Sequence, residues 1–241
     1  MKEREIDEVL ARAAQDAPAV PPAMLESIAG SIKHSLCLVR PIPAAWLLTT
    51  GLILIAATVA LAGAARAGFY GIERLTFFER VLIFPVLVLL LWASSAEFAA
   101  SMVPGSRRRA HPGVLMAMIC LALIGVFALV FRDHHTTNFV SAGIACLVAG
   151  VALAIPAALL SWLLLRRGFA VNPVAAGAVA GTLAGLAGVT MLELHCPNFQ
   201  VLHVLVWHTA VVPVAGAAGA FLARVLHLRG GFPSRSAGRP K

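Results

Sequence analysis

The feature that constrains this chain most is a series of six long apolar runs: Ala44–Ala65, Val81–Val103, Val114–Phe131, Phe139–Leu165, Val174–Leu194 and Val201–Leu226. A helix needs about 20 predominantly apolar residues to cross the ~30 Å hydrocarbon core of a bilayer. The runs therefore predict an all-α fold, a polytopic bundle of six transmembrane helices. A transmembrane barrel would show ~10-residue segments of alternating hydropathy instead, a pattern this sequence lacks. Composition supports the same class: 60% of residues are hydrophobic and 12% charged, against roughly 45–50% and 25% in soluble domains. That balance excludes a water-soluble globule and a disordered chain, and 4 Cys in 241 residues exclude a disulfide scaffold. Pro85, Pro156 and Pro213 fall inside the second, fourth and sixth runs. Prolines are tolerated there because neighbouring helices satisfy the freed carbonyls, and Pro156 is expected to kink the long fourth run.

The net charge of +8 would fit nucleic-acid binding on a soluble domain. Placing the charges gives a different meaning. With six spans both termini share one side. That side carries Lys2, Arg4, Arg12, Lys33, Arg40, Arg107, Arg108, Arg109, Arg166, Arg167, Arg224, Arg229, Arg235, Arg239 and Lys241, against Arg66, Arg74, Arg80 and Arg132 on the other. The positive-inside rule then places both termini in the cytoplasm. The basic excess is a topology signal, and no direct nucleic-acid contact is expected. The N-terminus MKEREIDEVL is mixed in charge and unlike a cleaved secretory signal, so the first span is read as an uncleaved anchor.

Three regions follow: a cytoplasmic N-terminal helical segment over 1–43, a membrane domain over 44–228, and a basic cytoplasmic tail over 229–241. In the first, Ile6, Val9, Leu10 and Ala13 recur at helical spacing. APAVPP over 17–22 breaks the chain, and Leu25, Ile28, Ile32 and Leu36 form a second stripe. A helix of about 12 residues is marginal alone in water, so each apolar face needs a cover. The plain reading is a membrane-proximal helix that orients the first span. The functional reading is an amphipathic helix that docks in a groove of a soluble partner.

Gly177, Gly181 and Gly185 repeat every four residues in the fifth span. Such a line lets helix backbones approach closely, most often within one bundle. Glu97 lies in the second span near its cytoplasmic end, where an intramembrane carboxylate is either functional or neutralised near the headgroups. The outer side carries Asp133, His134 and His135 in one loop, and Glu193, His195, Cys196 and His203 around the next. Cys146 and His208 lie about 10 Å below that surface at 1.5 Å rise per residue. Thiolates and imidazoles suit borderline and soft metals such as zinc. A Cys146–Cys196 disulfide is the other option in an oxidising compartment, although the apparent difference in depth weighs against it. Cys37 is expected to be cytoplasmic and reduced, and Cys120 to fill space in the third span. No phosphate-binding loop, nucleophile elbow, kinase set or dinucleotide fingerprint is present, so no enzyme is expected.

The stretch from Cys146 to Gly168 (CLVAGVALAIPAALLSWLLLRRG), then Asn172-Pro173 with the glycine-rich AAGAVAGTLAGLAG, then LHCPNFQVLHVLVWH over 194–208, resembles the NrsF family, negative regulators of sigma F. The resemblance is most specific from Cys146 to His208. It implies a bacterial inner-membrane anti-sigma factor. Such a protein holds an extracytoplasmic-function sigma factor away from RNA polymerase and releases it under thiol-reactive metal stress. It also implies that Cys146 and Cys196 are the sensors. His195, His203 and His208 are then the accompanying metal candidates, for a transient ion rather than a resident cofactor. The apolar stripes Ile6, Val9, Leu10, Leu25, Ile28 and Ile32 become the candidate surface for the sigma factor. The rival readings are a metal-handling or small-solute transporter, with Glu97 and the outer cluster lining a path, and a membrane thiol oxidoreductase using the two cysteines.

Overall fold

A computed structural model describes residue 8 and residues 21–35, 43–102, 110–165 and 172–229. Two units divide the chain, residues 1–41 and 42–241. In the first, α1 spans Pro22–Ser35. A proline opens it without cost, because the first helical N–H has no intrahelical partner to lose. Met24, Leu25, Ile28 and Ile32 on this helix are exposed. The expected stripe of Ile6, Val9, Leu10 and Ala13 lies outside the described residues, as do Leu36, Cys37, both arginine clusters at 107–109 and 166–167, and residues 230–241.

The second unit contains α2 (Ala45–Ala67), α3 (Tyr70–Arg74), α4 (Phe77–Met102), α5 (Pro112–Val130), α6 (Phe139–Leu165) and α7 (Pro173–His195). A last helix, here α8, runs continuously through Val201–His203, a π-helical turn Val204–His208, and Thr209–Arg229. Among the described residues, α2 and α4 to α8 are the six helices long and apolar enough to cross a membrane. There is no strand among them, only an isolated bridge between Asp133 and Gln200. The six spans fall within a few residues of the six apolar runs.

The largest boundary difference is at α4, which begins at Phe77 rather than Val81, and its cause is a capping box. The Thr76 N–H donates to Glu79 Oε2 at 2.6 Å, and the Glu79 N–H donates to Thr76 Oγ1 at 3.4 Å. That reciprocal pair satisfies two end donors and starts the helix a turn early. At α7, Asn172 Oδ1 accepts from the Ala175 N–H at 3.0 Å and Pro173 takes the first helical position. At α5, His111 Nδ1 accepts from the Gly113 N–H at 3.2 Å.

The interior is built around α7, which contacts α2, α4, α6 and α8. Small residues make this possible. A Cβ on Gly177 would stand 2.5 Å from Ala223 Cβ, and one on Gly181 would collide with the Ala215 carbonyl oxygen, both on α8. A Cβ on Gly185 would meet Val212 Cα of the same helix at 2.9 Å, whereas one on Gly188 would collide with the Gly150 carbonyl of α6. The glycine line thus seals α7 against two neighbours at once, the packing expected inside a bundle. Larger side chains fill the wider gaps: Leu52, Ile83, Leu87, Phe98, Phe127, Leu186 and Met191 are fully buried. Exposed Trp46, Leu54, Leu89, Met118, Leu129 and Phe221 point outward, as lipid-facing side chains do.

Candidate functional site

One end of the bundle gathers the turn after α5, the start of α6, the end of α7, the start of α8 and the short helix α3. The chain leaves α7 at Cys196, passes Pro197, and enters α8 at Val201. Cys146 stands two turns into α6, and its Sγ lies 3.4 Å from Cys196 Sγ. Both are free thiols. The expected difference in depth between the two cysteines is therefore absent. Cys196 is buried because the neighbouring segments close over it.

Two sets of contacts make that cover. A Cβ on Gly71 of α3 would lie 2.7 Å from the Glu193 carbonyl oxygen and 2.9 Å from that of Cys196, so only glycine lets α3 settle there. Arg74 Nη1 donates to the Pro197 carbonyl at 3.3 Å, and His195 Nδ1 bonds the Gly68 carbonyl at 2.9 Å. On the other side, the Val201 N–H donates to the Asp133 carbonyl at 2.7 Å and Gln200 Nε2 donates to Thr137 Oγ1 at 2.7 Å. Phe131 and Phe199 stack at 5.2 Å beside them.

The π turn brings two imidazoles together, His203 just before it and His208 at its end. His203 and His208 are five residues apart, which on an α-helix of 3.6 residues per turn would set them about 140° apart. An i→i+5 turn between them brings them toward one face, and their rings meet edge to face at 5.4 Å. His203 Nε2 lies 3.7 Å from Cys196 Sγ. His208 Nδ1 lies 2.7 Å from Glu193 Oε1, with both side chains fully buried. With Glu193 ionised, the carboxylate accepts from the Nδ1–H in that bond and holds the ring in place. One ligand atom each from Cys146, Cys196, His203 and His208 falls within 4.8 Å of all the others. The set fits a metal ion by donor type and by spacing.

Cys196 sits just beyond the end of α7, and its thiol pKa is pushed up, first by the hydrogen bond with Cys146 and then by burial. A ligand that needs the thiolate must displace the thiol proton. At the exposed turn, Asp133 is held below its ordinary carboxylate range by the His135 backbone N–H and then by the His135 ring, whose Nδ1 lies 2.6 Å away. His134 bonds the Arg132 carbonyl. Those two histidines serve the turn and stay outside the buried cluster.

Four of the five expected sensing residues thus come together: Cys146, Cys196, His203 and His208. His195 does not join them, because it braces α3 through Gly68 and packs on Tyr70 at 5.9 Å. Glu97 is buried near the opposite end of α4 and belongs to another part of the bundle. The sequence puts Glu193 on the outer side without showing its partner, His208. The signal for Glu193 is an acid 15 residues before a histidine in two adjoining apolar helices, where an unpaired carboxylate is costly. Nothing in the sequence marks Gly71 or the π turn.

A family model described as NrsF, negative regulator of sigma F, matches residues 37–229. No curated protein and no solved structure matches the chain.

Proposed function

The chain belongs to the NrsF family, negative regulators of sigma F, and from that membership we propose an inner-membrane anti-sigma factor that a thiol-directed signal switches off. Both termini face the cytoplasm, in line with the fifteen-to-four distribution of Lys and Arg. The end that carries Cys146 and Cys196 then faces the periplasm. The partner is an extracytoplasmic-function sigma factor, held by the N-terminal segment. The apolar side chains of α1, among them Leu25, Ile28 and Ile32, are exposed, and a stripe such as Leu25 and Ile28 suits a groove on a soluble partner. The family match covers residues 37–229, and α1 precedes it.

The single observation that carries the sensing part is the 3.4 Å separation of two thiols, Cys196 buried and Cys146 half-buried, beside two buried imidazoles. A thiophilic metal can take both sulfurs at once. A two-electron oxidant such as a peroxide can join them: the thiols give up two electrons and two protons, and the peroxide becomes two waters. Either event changes the lengths and angles between α6 and the α7–α8 turn. A shift from 1:99 to 99:1 between holding and releasing states requires about 5.5 kcal/mol of differential binding. Metal binding is of sufficient strength in principle, since complete four-ligand structural zinc sites contribute about 10–16 kcal/mol in total.

The test uses full-length protein in detergent, immobilised and offered each purified sigma factor of the source cell. Saturable retention of one sigma factor is expected, lost when residues 1–43 are removed. Retention of none contradicts the reading.

A further inference from the structure

We propose that Cys146, Cys196, His203 and His208 form a preorganised tetrahedral site for a divalent d10 cation of the zinc and cadmium class, with Glu193 as the residue that positions His208. This deepens the reading above by naming the ligand class of the same site.

The spacing carries the proposal. Around a tetrahedral ion with metal–sulfur bonds of about 2.3 Å and metal–nitrogen bonds of about 2.0–2.1 Å, neighbouring ligand atoms stand about 3.3–3.8 Å apart. The sulfurs here are 3.4 Å apart, and Cys196 Sγ is 3.7 Å from His203 Nε2. A linear two-thiolate ion would hold the sulfurs about 4.6 Å apart at the same bond length. A disulfide would draw them to about 2.05 Å. The resting geometry lies nearest the tetrahedral case. Two soft sulfurs and two imidazoles are the donor set of structural zinc sites, and hard cations prefer oxygen donors.

A second observation points to a ligand independently. Glu193 Oε2 is buried and makes no hydrogen bond among the described residues. A buried polar atom without a partner costs free energy, so its persistence needs a reason. Glu193 Oε1 lies 2.7 Å from His208 Nδ1, so with a metal bound the carboxylate would accept the Nδ1 proton and Nε2 would be the ligand atom. This is the carboxylate–histidine arrangement that raises ligand basicity at metal sites, and losing its outer member typically weakens metal affinity 10–100-fold.

The experiment is a cobalt(II) titration of the reduced full-length protein in detergent, without any sigma factor, followed by displacement with cadmium or zinc. The expected result is one cobalt per chain, with the strong visible bands of a tetrahedral site and a thiolate charge-transfer band. X-ray absorption on the cadmium-loaded wild type is expected to show two sulfur and two nitrogen neighbours. Glu193→Gln is expected to weaken affinity 10–100-fold while leaving diamide cross-linking of Cys146 to Cys196 at the wild-type rate. A merely structural role for Glu193 would change both.

A first shell of sulfur alone, or no uptake by protein whose thiols remain reactive, overturns the proposal. Unchanged affinity in both Glu193→Gln and His208→Gln does the same. If Glu193→Gln fails to fold, the wild-type coordination shell decides. Sigma-factor retention is measured separately, so a protein that binds metal but no sigma factor would sink the functional reading and spare this one.

Discussion

Two spans of this bundle, α5 and α7, invert the usual relation between hydropathy and burial. α5 has the highest mean hydropathy of the six, 2.8, and only 17% of its best window is buried. α7 shares the lowest, 1.7, and 78% of its window is buried. In water the more apolar helix would sit inside. In a bilayer the outside is hydrocarbon, so hydropathy reports lipid contact and small residues report the interior. α5 presents Val114, Met118, Leu121, Ile124 and Leu129 on its lipid face, whereas α7 brings Gly177, Gly181, Gly185 and Gly188 against other backbones. The helix that lipid contacts least is also the one that delivers Glu193 and Cys196 to the site.

Glycine substitutions can break this contrast most directly. Gly181→Val pushes a branched side chain into the Ala215 carbonyl of α8. Overpacking costs about 1–3 kcal/mol where neighbours can move, and backbone cannot, so the expected result is loss of folded protein by size-exclusion chromatography. Survival with unchanged thermal stability would undo the assignment of α7 to the interior.

Next in size is Gly71→Ala, where the added methyl meets two carbonyl oxygens. A cost of about 1–3 kcal/mol is expected, together with slower cross-linking of Cys146 to Cys196, read by diamide treatment and non-reducing gels. Glu193→Ala leaves the buried His208 Nδ1–H without its acceptor. About 1–3 kcal/mol is expected from that loss, seen as a lower unfolding temperature in detergent.

Thr76→Ala removes half of the α4 capping box, for about 1 kcal/mol. The smallest effect belongs to α5. Gly125 has nothing within 4 Å of where its Cβ would be, so Gly125→Ala is expected to be neutral or stabilising by up to about 1 kcal/mol. A large destabilisation there would show α5 to be packed in the working state.

The same contrast explains what could be read from the sequence. Span number and rough limits were legible, because about 20 apolar residues is a physical requirement of the bilayer. The glycine line was legible as close packing, although its division between α8 and α6 was not, since spacing alone does not name the partner. Cys146, Cys196, His203 and His208 could be singled out by chemistry. Their union depends on the π turn at Val204–His208, on Gly71, and on the way 196–200 folds inward. These are tertiary effects with no local pattern, and so the two cysteines looked unequal in depth. His195 looked equivalent to its neighbours because sequence cannot show that its ring turns to Gly68. α4 starts four residues before the apolar run at Val81, and its signal is the Thr76 and Glu79 capping signature rather than hydropathy.

The central claim is that chemistry at Cys146 and Cys196 controls retention of a sigma factor at the membrane. The most direct measurement is sedimentation of the sigma factor with membranes that contain the full-length protein, before and after cadmium, for wild type and for Cys146→Ser/Cys196→Ser. The account predicts sedimentation in both, release by cadmium from wild type, and no release from the double variant. Equal release from both, or no sedimentation of any sigma factor, would contradict it.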